Sequence, residues 1–323
     1  MASTQLQNVS IYVKLVKDRK AKYERIDTST IEYRVMKNII DKALILLEHG
    51  EGMRSLSQLA EAIVRERWRL QQNCLYPRHD TNFEQIDGRV GQFLRHMRER
   101  FPPVALQAVD GEAGTIRKTW SSANSTLDDY ETQDTGELHI HYGLLNSMVR
   151  TQNQGDREIF NFQMVLSVAH EITHFLTGFL SGTDRPLTPP AIYVPGLGGL
   201  TGEAGRYWEE KFLRGIVEFY AHPRDPHNPD QAGVPYIFES YGGDSVGKLV
   251  SSSYIKAFFD GHATTLDDSS GNRRNRALPG YQSQENYSSG QSYDPRSTAG
   301  SSRGGGHGSS TVVVVADITD ISL

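Results

Sequence analysis

Residues 159–180 read Ile-Phe-Asn-Phe-Gln-Met-Val-Leu-Ser-Val-Ala-His-Glu-Ile-Thr-His-Phe-Leu-Thr-Gly-Phe-Leu. Apolar side chains occupy nearly every turn (Phe160, Met164, Val165, Val168, Ala169, Ile172, Phe175, Leu176, Phe179), and neither proline nor glycine interrupts the run before Gly178. The pattern predicts one long helix over Ile159 to Leu180, and a helix that is apolar nearly all round is buried. His170 and His174 are four residues apart, so they project from one face with their Cβ atoms roughly 6 Å apart. Two buried imidazoles and a buried carboxylate, Glu171, need partners, because an unpaired polar group in a core is costly. Two satisfied core histidines beside a salt-bridged glutamate would meet that need; a metal ion meets it more simply. Zinc accepts two such nitrogens at about 2 Å each, plus a third protein ligand and a water. Glu171, one position beyond the first histidine, can reach that water without being a ligand, which is the place of a general base.

Upstream, Glu137-Leu138-His139-Ile140-His141-Tyr142 alternates apolar and polar residues at period two, predicting a half-buried strand. His139 and His141 are expected on its wet face rather than as ligands. Gly143-Leu144-Leu145-Asn146 then leads towards the helix.

The His-Glu-x-x-His pattern, preceded by a strand, resembles the zincin metallopeptidases over roughly residues 105–220. In those proteins an edge strand before the active-site helix pairs with the extended substrate. The resemblance leaves the third ligand to be found. The metzincin branch places a glycine and a further ligand where this chain has Thr177 and Leu180, so that branch is excluded. The gluzincin branch takes a glutamate from a later helix, and Glu203, in Gly202-Glu203-Ala204-Gly205-Arg206-Tyr207-Trp208-Glu209-Glu210, is the first choice. Its spacing is longer than usual for that branch. The proline- and glycine-rich insert at 185–200 accommodates the length, since loop closure costs only about 0.6 kcal/mol per doubling. Glu203 would open an amphipathic helix running to Tyr220, with Glu210 two turns on as an alternative ligand or outer hydrogen-bond acceptor and Glu209 pointing elsewhere. A third candidate is Asp184, in a Gly-Thr-Asp element resembling that of the aspzincins but one residue out of register. The helix, the Thr-Pro-Pro loop and Gly-Glu-Ala-Gly-Arg together are similar to a group of uncharacterised fungal zincin-like proteins, which favours Glu203.

A different chemistry competes at Gly196-Leu197-Gly198-Gly199-Leu200-Thr201-Gly202. Preceded by Ala191-Ile192-Tyr193-Val194, this imitates a strand and a phosphate-cradling loop. Thr201 stands where a third glycine belongs, and Pro189, Pro190 and Pro195 shorten any strand.

Composition bounds the rest. The chain has 323 residues, 37% of them hydrophobic, with a net charge of −5 and one cysteine, Cys74. That charge argues against a nucleic-acid partner, and a lone cysteine removes any cysteine zinc cluster. No signal peptide or membrane span is legible, so a cytoplasmic location is expected. Ile31–Glu48, Ser55–Leu70 and Phe83–Phe101 carry apolar residues at helical spacing, the last stopped by Pro102-Pro103. Leu56-Ser57-Gln58-Leu59-Ala60 resembles a helix-turn-helix only faintly. From Asp267 to Ser310, serine, glycine, asparagine and arginine dominate, a composition that cannot offset its ordering entropy. Beyond it, Thr311-Val312-Val313-Val314-Val315-Ala316 is β-prone.

The expected fold class is therefore α+β and mainly helical. A helical N-terminal region (1–104) precedes a zincin-like domain with a small sheet and an active-site helix (105–262) and a Gly/Ser-rich disordered tail (263–323). The resemblance implies a Zn2+-dependent metallopeptidase or amidase. His170, His174 and Glu203 would hold the metal, Glu171 would move the proton, and Tyr207 would stabilise the oxyanion, with Tyr220, His222 and Arg206 behind it. The partner would be a peptide or amide substrate, with neither nucleic acid nor membrane involved. A zinc-holding accessory protein without peptidase activity is the alternative from another class, and nucleotide binding is a lesser one.

Overall fold

The computed structural model describes residues 5–7, 9–17, 20–121, 125–182, 187–196, 202–222, 228, 230–239 and 247–260. Asp184, most of the glycine loop and the whole segment from 261 onward, including the β-prone stretch, lie outside them. The fold is α+β, with seven α-helices and two small sheets among the described residues.

The first expectation to be revised is a wholly helical N-terminal region. Two strands, β1 (Ile11–Lys17) and β2 (Lys20–Arg25), precede the helices as an antiparallel hairpin. In β1 Ile11 is buried and Tyr12 to Leu15 are half-buried, with Lys14 and Lys17 breaking the apolar run, as suits a strand near the sheet edge. The helices follow as α1 (Ile31–Glu48), α2 (Gly50–Arg69) and α3 (Ile86–Glu99). Thr30 caps α1 by accepting from the Tyr33 amide, and Met36, Ile39, Ile40, Ala43, Leu44 and Leu47 bury its apolar stripe. Phe83 adopts a left-handed φ of 57°, so α3 starts at Ile86 rather than Phe83. Arg98 of α3, almost fully buried, ties that helix to α1 through Glu48 (2.8 Å) and Asp41 (2.6 Å).

Strands β3 (Val104–Gln107), β4 (Ala113–Arg117) and β5 (Gly136–His141) complete the larger sheet, whose order is β2-β1-β3-β5-β4. β1, β3 and β5 run parallel, while β4 is antiparallel to β5 and closes one edge. A short helix α4 (Tyr142–Arg150) leads to α5 (Gln154–Ser181), the 28-residue helix containing the opening stretch. Every residue of α5 from Val168 to Ser181 is buried. It packs against α1, α2, α4 and β4.

The continuous helix expected from Glu203 to Tyr220 is two elements, α6 (Ala204–Leu213) and strand β6 (Ile216–Tyr220). Arg214 turns left-handed (φ 58°) to end the helix, and a Cβ on Gly215 would come within 2.7 Å of the Phe238 carbonyl oxygen. The β-branched pair Ile216-Val217 then starts an antiparallel meander, β6-β7-β8, with β7 at Val234–Phe238 and β8 at Lys248–Leu249. Helix α7 (Ser252–Phe259) packs back on α5. No helix among the described residues is long and apolar enough to cross a membrane.

Candidate metal centre

The centre is assembled from α5 and the residue that caps the start of α6. Within α5, the four-residue spacing brings the His170 and His174 rings to 5.2 Å between centroids. Glu203 meets them from across the gap, with Oε1 at 2.9 Å from His174 Nε2 and 3.3 Å from His170 Nε2. One ligand atom from each of these three residues lies within 4.8 Å of the others, the one such His/Cys/Asp/Glu cluster among the described residues. Two ligands about 2 Å from a tetrahedral metal stand roughly 3.3 Å apart, so the donor set and its spacing fit zinc.

Several local features aim Glu203. It is the N-cap of α6, extended at φ −129°, and its carboxylate accepts the Gly205 amide at 3.0 Å. Its own amide donates to the Ile192 carbonyl at 2.7 Å, fastening the returning loop. Gly205 then lets α6 lie against the ligand ring: a Cβ there would fall 2.2 Å from His170 Cδ2 and 2.3 Å from His170 Nε2.

Behind the histidine, His170 Nδ1 donates to Glu209 Oε1 at 2.7 Å, which leaves Nε2 facing Glu203. Glu209, expected to point elsewhere, is thus the outer acceptor, whereas Glu210 pairs with Lys211 at the surface (2.9 Å). The seven-residue count from Glu203 to Glu210 misleads because Glu203 is an extended cap; helical phase begins after it and brings Arg206 and Glu209 inward together. Arg206 Nη1 holds Glu209 Oε2 (3.1 Å) and the Val217 carbonyl (3.2 Å), and its Nη2 reaches Glu218 (3.2 Å). Arg206 thus pairs with Glu209 and Glu218, behind His170.

These contacts set the charge states. Burial alone would lower the His170 pKa, but Glu203 and Glu209 on its two nitrogens override it and lift it to about 10 in the metal-free chain. Burial would likewise raise Glu203, yet the adjacent His174 and His170 hold it well below the usual carboxylate range. His174 Nδ1 is buried with no hydrogen-bond partner, so the two histidines are unequally supported.

Glu171 is buried on the β4 side of α5, where its Oε2 accepts a short hydrogen bond from Thr115 Oγ1. A pocket of about 20 Å³, room for roughly one water, has Glu171, His170 and Glu209 in its wall. The neighbouring strand differs from expectation. β5 is interior, paired on both sides, and β4 is the edge strand beside the helix. His139 is accordingly buried, not wet: its Nδ1 meets Gln107 at 2.6 Å and burial lowers its pKa. His141 caps α4 through the Leu144 amide.

Tyr207 lies half-buried with Lys211 over its ring at 5.3 Å, on the side of α6 away from Glu209. Tyr220, at the end of β6, packs edge-on against Tyr236 of β7, and the His222 amide donates to Gln231. The nucleotide-loop reading loses its strand, since residues 191–194 form a turn and irregular backbone; residues 197–201 are outside the described set.

Arg117, unremarked in the sequence, ends β4 on the same face as Thr115. Its Nη1 is sealed from solvent without a hydrogen-bond partner; burial lowers its pKa, opposed by the charges of Glu203 and Glu171. Thr115 and Arg117 carry no spacing motif of their own, and only the pairing of β4 with β5 brings them to α5.

Comparison of this chain with family models, with curated proteins and with solved structures finds no match.

Proposed function

We propose that the chain is a zincin-like, zinc-dependent hydrolase acting on a peptide or amide bond. The observation that carries the reading is the convergence of His170, His174 and Glu203 from two helices onto one point, with Glu171 on the adjoining turn beside an open sheet edge. His170 and His174 would bind the metal through Nε2 and Glu203 through a carboxylate oxygen. Bound zinc supplies Lewis acidity, lowering the pKa of a water and polarising a carbonyl.

The remaining work belongs to the chain's own groups. Glu171 takes a proton at a carboxylate oxygen and returns it to the leaving amine, while Thr115 donates one hydrogen bond to its Oε2 and so favours Oε1 as the oxygen that carries the proton. Glu209 keeps His170 in the tautomer whose Nε2 is free, and Arg206 keeps Glu209 ionised. β4, the edge of the sheet among the described residues, would offer its outer backbone amides and carbonyls to an extended substrate.

The test compares wild type with Glu171→Gln on a peptide library and on a cell lysate, with zinc content measured in both. The variant should retain zinc and lose hydrolysis by roughly 100-fold or more, the usual scale for a lost general base. Cleavage that survives the substitution overturns Glu171 as the base. Absence of cleavage by zinc-loaded wild type overturns the hydrolase and leaves a zinc-holding accessory protein.

A further inference from the structure

Arg117 is half-buried, and its Nη1, sealed from solvent, has no hydrogen-bond acceptor among the described residues. Its neighbours in phase on β4 are Ala113, buried, and Thr115, which donates to Glu171; the intervening Ile116 is exposed. Arg117 therefore shares the face of the edge strand that looks onto α5 and the metal centre. A guanidinium stays charged at any working pH, and a sealed donor left without an acceptor is destabilising. The anions nearest in charge terms, Glu203 and Glu171, are both committed: Glu203 to the two histidines and Gly205, Glu171 to Thr115. Neither forms an ion pair with Arg117, and its Nη1 has no hydrogen-bond partner. A half-buried cation with one sealed and unmet nitrogen, on the strand where an extended ligand would lie, marks a place where the ligand brings the missing acceptor.

We propose that Arg117 binds a carboxylate of the substrate, so that the site selects peptides with a negative charge next to the bond under attack. The inference rests on the metal-centre reading above. A carboxylate suits the planar fork of a guanidinium, which it can meet with two parallel hydrogen bonds. Two sources share that chemistry: the α-carboxylate of a chain end and the side chain of aspartate or glutamate.

The experiment uses full-length zinc-loaded protein and three probes that carry the same metal-binding hydroxamate. The first is a hydroxamate-capped alanine with a free α-carboxylate, the second its α-carboxamide, and the third a hydroxamate-capped aspartate α-carboxamide. Affinities are measured by calorimetry on wild type, Arg117→Gln and Arg117→Lys, each checked for zinc content and melting temperature. In wild type at least one carboxylate probe should bind roughly tenfold tighter or more than the neutral one, the scale of a charge-assisted hydrogen bond. Which of the two does so identifies the source. Arg117→Gln should abolish the preference while melting no lower than wild type, because the sealed Nη1 it removes has no acceptor, and Arg117→Lys should keep part of it. Equal binding of all three probes by zinc-loaded wild type, or a preference that persists in Arg117→Gln, overturns the proposal while leaving the metal centre standing. A lower melting temperature in Arg117→Gln with no change in preference makes Arg117 a structural residue and likewise overturns it. A wild-type chain that holds no zinc removes the metal centre and this inference together.

Discussion

Glu209→Gln is the sharpest perturbation of the centre, because it changes one atom behind a ligand and touches no ligand. The bond at stake joins His170 Nδ1 to Glu209 Oε1 at 2.7 Å with both side chains almost wholly buried, so solvent does not screen it. The variant keeps the shape of the side chain. Arg206 keeps the Val217 carbonyl and Glu218, so the frame around α6 should survive. What changes is the acceptor's charge, and with it the electron density that His170 offers through Nε2. In addition, a glutamine whose oxygen still accepts from His170 must turn its amide nitrogen towards the Arg206 guanidinium, an unfavourable contact. Loss of such an outer hydrogen bond weakens metal binding by roughly 10- to 100-fold, equal to about 1.4 to 2.7 kcal/mol. Competition against a chromophoric chelator at fixed pH gives the affinity directly. The metal-dependent part of the thermal stabilisation should shrink by the same free energy. Glu210→Gln is the control: its ion pair with Lys211 is at the surface, where such pairs contribute about 0–1 kcal/mol, and its zinc affinity should equal wild type. Glu209→Gln within twofold of wild type, or a loss confined to Glu210→Gln, refutes the assignment of Glu209.

Further outcomes follow from the same geometry. Gly205→Ala places a methyl 2.2 Å from the His170 ring, so overpacking of about 1–3 kcal/mol should lower the melting temperature and weaken zinc together; a variant with unchanged zinc affinity contradicts the close approach of α6. Glu203→Ala should reduce zinc affinity far more than Asp184→Ala or Glu210→Ala, measured by the same chelator competition. The metal-free chain should lose stability as pH rises. His170 has its pKa raised from an ordinary 6.5 to about 10, so its contribution is complete below about 6.5 and is lost as pH climbs through about 10. Within that window zinc must displace a proton, and calorimetry at pH 8 in two buffers of different ionisation enthalpy should detect about one proton released per zinc bound.

The three residues that cluster at the candidate metal centre are legible in the sequence because they depend on local chemistry. His170 and His174 are related by helical spacing alone, and the long apolar run around them announces the burial that makes a pair of imidazoles unusual. Glu203 followed from a glycine-flanked helix start. The residues that complete the centre were not legible, for a physical reason in each case. Glu209 was passed over because the helix was counted through its extended cap. Thr115 and Arg117 meet α5 only through strand pairing across more than fifty residues of sequence, which no local period encodes. The β1-β2 hairpin is hard to read because lysines interrupt it without a strict period, at Lys14, Lys17, Lys20 and Lys22, and their long aliphatic stems serve a half-buried strand as well as an exposed one. The α6–β6 break turned on Arg214, a non-glycine residue in a left-handed conformation that sequence rarely reveals.

The most direct test of the metal centre is the zinc content of the purified full-length protein, by elemental analysis after exhaustive dialysis, in wild type and in His174→Ala. The convergence of His170, His174 and Glu203 predicts close to one zinc per chain in wild type, and its loss with a lowered melting temperature in the variant. A wild-type chain without zinc after reconstitution, or a His174→Ala variant that holds as much zinc as wild type, contradicts it.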